Sequence, residues 1–489
     1  MEIKESHAQL VRLQDQFPSL NNIQFQGLHL WPFIRYNELE RFKKQRYSHV
    51  DLPRRRVAPA DSFIKRFVFK RRVSNSLNNL IDQHVGAPRI GFMSFGTSYY
   101  SEKVDGRVYN RHLDPFVEAV RKLVSRDVET VKIHPDKDRG LDMLHDATFL
   151  PMDAVKALAH YYFKPSTWHE NEMSSFKENL LEMGLGAILD RSIGDLEDCL
   201  SMLPVAEMIL KRLNLSHLFV VCFYDLEVLP FVVAAKKMGI KVIDIQHGKQ
   251  GQIHHIYSHN PLVHQMKEMY PDVFWNWGKS SAEAIDVWFS DKRNSPMCIP
   301  GGNLFTQNWL NDDFEANYSG NTEIRALVKR YGSVVLFCGD PIEETFPEVM
   351  VKYIAQNPEV LVLVRLHPAM KNRIAGFKKQ LPFENVEISI STAAPLYAML
   401  KAVDCLITAW SSVCIEGLVF NLPSILIHKN GVDLYQSYID KGFFKYCSSA
   451  EAISDGLKDF KVNVPVIQDD FIETDVSVAT EYLKKIISQ

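Results

Sequence analysis

Four short polar clusters punctuate the apolar runs of this chain: Gln246-His247-Gly248, Gly339-Asp340, Arg365 with His367-Pro368, and Ser411-Ser412. Each sits where a run of Val, Ile, Leu or Phe stops, as happens at the ends of strands covered on both faces. Their residue types suit a transfer from a phosphate leaving group. An imidazole, with an unperturbed pKa of about 6.5, can take a proton near neutrality, and Gly248 lets backbone come close to a substrate. Ser411 and Ser412 open the stretch SSVCIEGLVF, which reads as a helix whose first amide groups and positive end attract an anion. Arg365 and His367 can add charge-assisted hydrogen bonds and stabilise the charge that develops as phosphate departs. Glu416 falls on the same helix face as Ser412, where it either accepts from ribose hydroxyls or closes a capping box. A single histidine at a strand end is more often a structural hydrogen-bonder; four such ends in one chain carry the functional reading. Asp225 and Glu227, after the run VVCFY, could orient His247 or bind an acceptor, or could cap the helix beyond them.

Other chemistries find no support in the spacing. No GxGxxG follows a strand, and GKSS at 278–281 has the tail of a phosphate loop, but Val273 holds its upstream glycine position. His254, His255, His259 and His264 lack the cysteine or carboxylate spacing of a recognisable metal site, so the expectation is no metal and no cofactor. WSSV lacks the two glycines of a hydrolase elbow. The seven cysteines show no CxxC pairing and sit mostly in apolar runs, as reduced thiols in a cytoplasmic core do. A net charge of −3 gives no reason to expect nucleic acid. The most apolar run, at 218–235, is broken by Asp225, Glu227 and Pro230, and the first residues carry no signal pattern.

The elements that must position these clusters form an α/β rhythm. Runs at 89–95 and 216–224 read as strands, VLPFVVAAKKMGI as a helix ended by Gly239, and KVIDIQ as the next strand; strand, helix, strand implies parallel pairing. Short strands come next at 274–278 and 297–303. The polar stretch TQNWLNDDFEANYSGNTEI reads as a boundary, beyond which strands are expected at 333–341, 360–368, 385–390, 404–412 and 423–431. The expectation is two doubly wound domains facing across a cleft, with ligands at the carboxyl ends of the strands. Residues 1–85 read as a helical preface, 86–305 as an acceptor-binding domain, 325–465 as a nucleotide-binding domain and 466–489 as a C-terminal helix. Within 41–75 there are 12 Lys or Arg against two Asp, interleaved with Phe63, Ile64, Phe67, Val68 and Phe69. Such a segment could rest on an anionic bilayer, each basic residue adding about 1 kcal/mol, or form a solvated helix. The chain is therefore expected in the cytoplasm, peripheral to the inner face of its membrane.

The order QHG, WNWGKSS (275–281), IPGGN (299–303), RLHP and LITAWSSVCIEGLVFNLPSIL (406–426) resembles the bacterial surface-polysaccharide glycosyltransferases of GT-B fold, over about half the chain. The layout is similar to the teichoic-acid glycerophosphotransferases, with comparable His-Pro and Ser-Ser elements in polysialyltransferases and Kdo transferases. The resemblance implies His247 as general base, His367 as donor to the nucleotide phosphate and Ser411 and Ser412 as its cradle. Polysialyltransferases carry an acidic pair before a glycine in the first domain; KVDG (103–106) offers Asp105, a rival base. Ala409-Trp410 stands where teichoic enzymes have Asp-Tyr, and Gln246 where a Trp is common, which points away from glycerophosphate as the transferred group. The activity implied by the resemblance is an inverting, metal-independent transfer of a sugar from a CMP-sugar, such as CMP-Kdo or CMP-sialic acid, to a capsule or lipopolysaccharide glycan or a lipid-linked acceptor. UDP-sugar transferase, sugar-nucleotide epimerase and non-catalytic scaffold stand as alternatives.

Overall fold

The computed structural model describes residues 3–46, 67–68, 70–73, 89–95, 102–124, 128–135, 141–162, 178, 181, 186–311, 321–340, 345–462 and 470–488. The first sheet has seven parallel strands, β1 (Arg89–Met93), β2 (Glu129–Pro135), β3 (Thr148–Leu150), β4 (Leu215–Val221), β5 (Lys241–Ile245), β6 (Val273–Asn276) and β7 (Met297–Pro300), in the order β7-β6-β5-β4-β1-β2-β3. A second sheet has six, β8 (Ser333–Cys338), β9 (Val360–Arg365), β10 (Val386–Glu387), β11 (Cys405–Thr408), β12 (Ser424–Leu426) and β13 (Phe444–Tyr446), in the order β10-β9-β8-β11-β12-β13, again all parallel. β1 is buried along its whole length and β8 along all but its first residue, which is why their sequences are unbroken apolar runs rather than alternating ones. In both sheets the strand order reverses beside the first strand, which creates a crevice at the carboxyl ends of β1 and β4 and another at those of β8 and β11. This is the two-domain GT-B architecture.

Helices α1 (Ile3–Gln16) and α2 (Trp31–Arg46) do not stand apart from the first sheet. Leu10, Leu13, Trp31 and Phe33 share one core with Leu218, Val220 and Val242 of β4 and β5 and with the long helix α4 (Gly186–Leu213). A hairpin, Glu102–Val104 with Arg107–Tyr109, leaves the β1 edge and packs Val104 and Tyr109 into the core of the second sheet. Helix α3 (Asp114–Leu123) comes directly after it. After β4 comes α5 (Leu229–Lys237), ended by Gly239 at φ +72°, a left-handed position that suits glycine. After β11 and β12 come the short α6 (Val413–Leu418) and α7 (Lys429–Asp440). The final helix α8 (Val476–Ile487) returns to the first sheet, where Ala479, Leu483 and Ile486 are buried and the His217 Nε2 bonds the Ile486 carbonyl at 3.0 Å.

β2, β3, β13 and the hairpin are strands beyond those expected from sequence, and two of the segments read from sequence take another form. Only Val386 and Glu387 of the 385–390 run pair as strand, because the Glu387 carboxylate accepts from the Ile390 amide and Ser391 donates to the carbonyls of Val364 and Glu387, turning the chain into a helical turn at Ser389–Ala393. The stretch placed at the boundary begins with helix Leu304–Trp309, capped by Asn303, whose Trp309 is fully buried. Most of the basic stretch 41–75 lies outside the described residues; within it Arg72 pairs with Asp153 at 2.8 Å, while Phe67 and Val68 are exposed. Among the described residues no helix is long and apolar enough to cross a membrane.

Candidate active site

The β5 end is shaped by a buried amide. Gln246 accepts from the Trp277 amide at 2.6 Å through its side-chain oxygen and donates to the Gly248 carbonyl at 2.8 Å, while the Trp277 indole donates to the Gln246 carbonyl at 3.0 Å. A tryptophan could not supply both an acceptor and a donor, so Gln246 is the residue that folds the turn and leaves His247 projecting from it. The His247 ring lies edge-on to His112 at 6.4 Å between centroids and 6.2 Å from Tyr224.

His112 belongs to the start of α3. Asn110 accepts from the amides of His112 and Leu113, both at 3.0 Å, and Asp114 reaches back to the Asn110 amide at 2.7 Å, a reciprocal cap that fixes the turn. Between them Arg111 donates from Nε to the Nε2 of His112 at 3.2 Å. Burial first, and then the charge of Arg111, holds His112 well below the usual imidazole range, so its ring is neutral.

The second sheet meets this edge from the other side. Cys338, Arg365 and Thr408 are in register at the ends of β8, β9 and β11, which brings Gly339-Asp340, His367 and Ser411-Ser412 to one crevice. Thr408 donates to the Cys338 carbonyl and accepts from the Ser411 amide at 3.1 Å, and the Trp410 amide donates to Asp340 at 3.3 Å. The Gly339 amide bonds the Arg365 carbonyl at 3.0 Å, stitching two of the strand ends together. Arg365 itself donates through its guanidinium to the carbonyls of Ser391 and Ala394, so much of its hydrogen bonding holds the turn beside β9. His367 is half-buried, and burial with the nearby Arg111 charge lowers its pKa to about 4.

Glu416 is buried on α6. It accepts from the Tyr397 hydroxyl, which also bonds Thr306 at 2.8 Å, and one of its oxygens lies 3.8 Å from Arg111. Its other oxygen, Oε1, is buried without a hydrogen-bond partner among the described residues. Ser412 precedes α6 without a side-chain cap bond, so the capping-box role for Glu416 is not what the side chain does. The helix runs over Val413–Leu418, shorter than the ten residues read from sequence.

The two edges touch. A Cβ on Gly248 would lie 3.8 Å from the Ser412 hydroxyl, so the turn that carries His247 faces the turn that carries the twin serines. Lys249 continues across the gap, its ammonium 5.0 and 4.7 Å from the ring centres of Tyr435 and Tyr438 on α7. Burial lowers its pKa to about 8. Beyond it opens a cavity of about 480 Å³ between the two sheets' loops, lined by Lys249, Gln252, His254, Glu283, Asp433 and Gln436 among others. His254 flanks the same Tyr224 as His247, with centroids 6.3 Å apart.

Of the residues read from sequence, His247, His367, Ser411, Ser412, Glu416, Gly339 and Arg365 thus gather at the facing edges. Asp105 instead occupies the exposed tip of the hairpin, at φ +51° beside Gly106 at φ +76°. That Asp-Gly pair is what a two-residue turn with both positions left-handed requires. Asp225 accepts from the Glu227 amide at 2.8 Å, and its carbonyl accepts from Val228 and Leu229, so it starts α5; Glu227 pairs with Lys156 at 2.5 Å. Arg111, His112 and Lys249 are not singled out by the sequence. The cap signal Asn110 to Asp114 ahead of DPFVEAVRKL marks where Arg111 and His112 sit, although nothing in it marks them as functional. Among the described residues no three His, Cys, Asp or Glu side chains come together as a metal set.

Residues 348–452 match the model of the CDP-glycerol:poly(glycerophosphate) glycerophosphotransferase family. Over that segment, less than half of the chain, the protein is similar to this family of transferases. The match spans β9 through β13 and includes His367, both serines and Glu416. No curated protein sequence matches the chain significantly. Among solved structures, the chain is similar to UDP-GlcNAc 2-epimerase of Methanocaldococcus jannaschii in complex with UDP-GlcNAc and UDP (12% identity, 82% of this chain and 100% of that one, TM-score 0.51). It is also similar to UDP-GlcNAc 2-epimerase of Neisseria meningitidis (10%, 82% and 99%, 0.49) and to the wall teichoic acid polymerase TagF (15%, 87% and 95%, 0.49). At these identities the epimerase of M. jannaschii speaks for the fold alone, and the other two scores add no weight.

Proposed function

We propose that this protein moves a sugar from a cytidine-nucleotide donor, a CMP-sugar such as CMP-Kdo or CMP-sialic acid, to a growing capsule or lipopolysaccharide glycan. In the step proposed, an acceptor hydroxyl attacks the anomeric carbon as His247 takes its proton; the bond from that carbon to the phosphate oxygen breaks, and CMP leaves with the electron pair from the opposite face. His367, neutral near pH 7, donates a hydrogen bond to the departing phosphate beside Ser411 and Ser412, and the buried Oε1 of Glu416 accepts from a ribose hydroxyl. The acceptor enters through the cavity beside Lys249, whose amide and carboxylate lining suits sugar hydroxyls.

The observation that carries this reading is the 3.8 Å approach of the Gly248 position to Ser412, which puts a candidate proton acceptor and a candidate anion cradle on opposite walls of one gap. A cytidine nucleotide is favoured by the family match over 348–452, a family described by its use of CDP-glycerol. The deciding experiment incubates the protein with CMP-Kdo, CMP-sialic acid, CDP-glycerol and UDP-sugars and measures nucleotide release with and without an acceptor glycan. Acceptor-dependent release from a CMP-sugar supports the proposal; release only from CDP-glycerol or a UDP-sugar overturns the donor, and conversion of a UDP-sugar to its epimer without transfer overturns the reaction.

A further inference from the structure

The crevice holds a second guanidinium besides that of the RLHP motif. His367 is kept neutral, its pKa lowered to about 4 by burial and by Arg111. The Arg365 guanidinium, which stays charged, is engaged with the carbonyls of Ser391 and Ala394. The serines carry no charge. Arg111 comes from the opposite wall, just before α3 of the first sheet, and its NH1 lies 3.8 Å from the Glu416 carboxylate on the helix that Ser412 precedes. Its Nε is tied to His112 at 3.2 Å, and His112 in turn lies against His247. One guanidinium thus neighbours the candidate base, the anion cradle and the histidine of the His-Pro turn.

We propose that Arg111 is the residue that binds the phosphate of the donor nucleotide, supplying from the first domain a guanidinium whose NH1 faces the Glu416 carboxylate, where that of Arg365 donates to backbone carbonyls. A guanidinium presents several N–H groups in one plane, so Arg111 can keep its Nε bond to His112 while its terminal nitrogens turn from Glu416 to phosphate oxygens. Binding of the phosphate then ties the two domains together, and a nucleoside, which has none, does not. The neutral His112 beneath it offers Nε2 as an acceptor and so holds the guanidinium at the gap.

This inference rests on the reading of the cleft as a nucleotide site, and the two can fail separately. Calorimetric titration of the full chain with cytidine, CMP, CDP and UDP at low salt gives the phosphate-dependent part of the affinity as the ratio of CMP to cytidine. Arg111→Ala should cut that ratio by about tenfold to a hundredfold, the loss of a charge-assisted hydrogen bond, and leave cytidine binding unchanged. Arg111→Lys should restore part of it, because the charge returns without the fork. Arg365→Gln, by contrast, should lower the melting temperature and weaken cytidine and CMP alike. If Arg111→Ala folds and keeps the wild-type ratio, the assignment is wrong, and Arg111→Lys binding CMP as the wild type does while melting normally would also remove the need for a fork. Should Arg111→Ala not fold, the ratio in Arg111→Lys and Arg111→Gln decides, since loss of the charge in a folded glutamine variant must lower it. Wild-type protein that binds no nucleotide at all would sink both the inference and the site it rests on.

Discussion

The two sheets share a strand order but equip their carboxyl edges differently. The first edge presents ring nitrogens, His247 and His112, on turns fixed by buried amides, Gln246 and Asn110. The second presents small hydroxyls and a buried carboxylate on a turn fixed by Thr408 and Asp340. On the function proposed, one architecture carries two chemistries, a proton acceptor on one wall and an anion cradle on the other, and the division lies in a few residues past the strand ends rather than in the strands. Such a division predicts that substitution of the first edge's His247 changes turnover and substitutions on the second edge change binding, with Arg111 as the first edge's contribution to binding.

The largest effect should come from breaking the first edge alone. His247→Ala is expected to reduce transfer by about a hundredfold or more, the range of a lost general base, while CMP affinity measured by calorimetry stays within a few fold. A variant that loses CMP affinity as steeply as turnover would erase the distinction between the walls. Next, Ser411→Ala combined with Ser412→Ala, or His367→Ala alone, should weaken CMP binding by about tenfold, with turnover at saturating donor reduced less. Gly248 tests the gap itself. Gly248→Ala adds a Cβ at ordinary contact distance from Ser412 and should bind CMP nearly as the wild type does, whereas Gly248→Val must push into the serine and raise the donor KM several-fold.

Many strands were legible because a strand buried on both faces is an apolar run, as β8, β9 and β11 largely are and as β1 and β4 are beyond Arg89 and His217, whereas the short β3 and β13 and the mixed ETVKIHP of β2 show no such run. Their polar ends were legible for the same reason, as abrupt stops. The segment at 385–390 misled because Val386 and Ile388 alternate with polar residues as a strand does, while the turn rests on a local bond from the Ile390 amide to Glu387 and on the Ser391 bond to Val364, a neighbour distant in sequence. Trp309 likewise sits in a polar stretch whose partners, Phe305 and Tyr397, only the fold brings near. Arg111 and His112 stayed hidden because neither ends a strand; their place is set by a cap and a hairpin that reaches across to the other sheet.

Acid stability should separate the buried groups by sign. His7 and His367 have pKa values lowered to about 3 and about 4, mainly by burial, and His112 and His217 are lowered too. The unfolded chain takes these protons below about pH 6.5 while the folded chain refuses them until lower pH, so stability should fall as pH drops from about 6.5 towards 4. Asp244, raised to about 7 by burial, acts oppositely: the unfolded carboxyl loses its proton near 3.8 and the folded one keeps it, so its contribution is lost as pH rises through that window. Urea midpoints measured from pH 8 to 4.5 should therefore decline on the acid side, and Asp244→Asn should steepen the decline by removing one opposing slope, the raised Asp114 carboxyl remaining as another. Midpoints that rise on acidification would contradict the neutral burial of these histidines.

The smallest effect expected is the one that sharpens the comparison most. Asp105 is the rival to His247, and its place at the hairpin tip makes two outcomes distinguishable. As a turn residue at φ +51°, it needs a short polar side chain that tolerates the left-handed region, and asparagine meets that need as well as aspartate does. Asp105→Asn should then leave stability and transfer within about twofold of wild type. Asp105→Val keeps no carboxylate either, but a β-branched residue strains the turn and should cost stability on the order of 1 kcal/mol. A base would respond in the opposite pattern, since asparagine cannot take a proton and both variants would lose turnover together while only valine lost stability. Transfer assays and melting curves on the two variants thus decide whether the first edge owes its proton chemistry to the imidazole beside Gly248 or to a carboxylate on the hairpin.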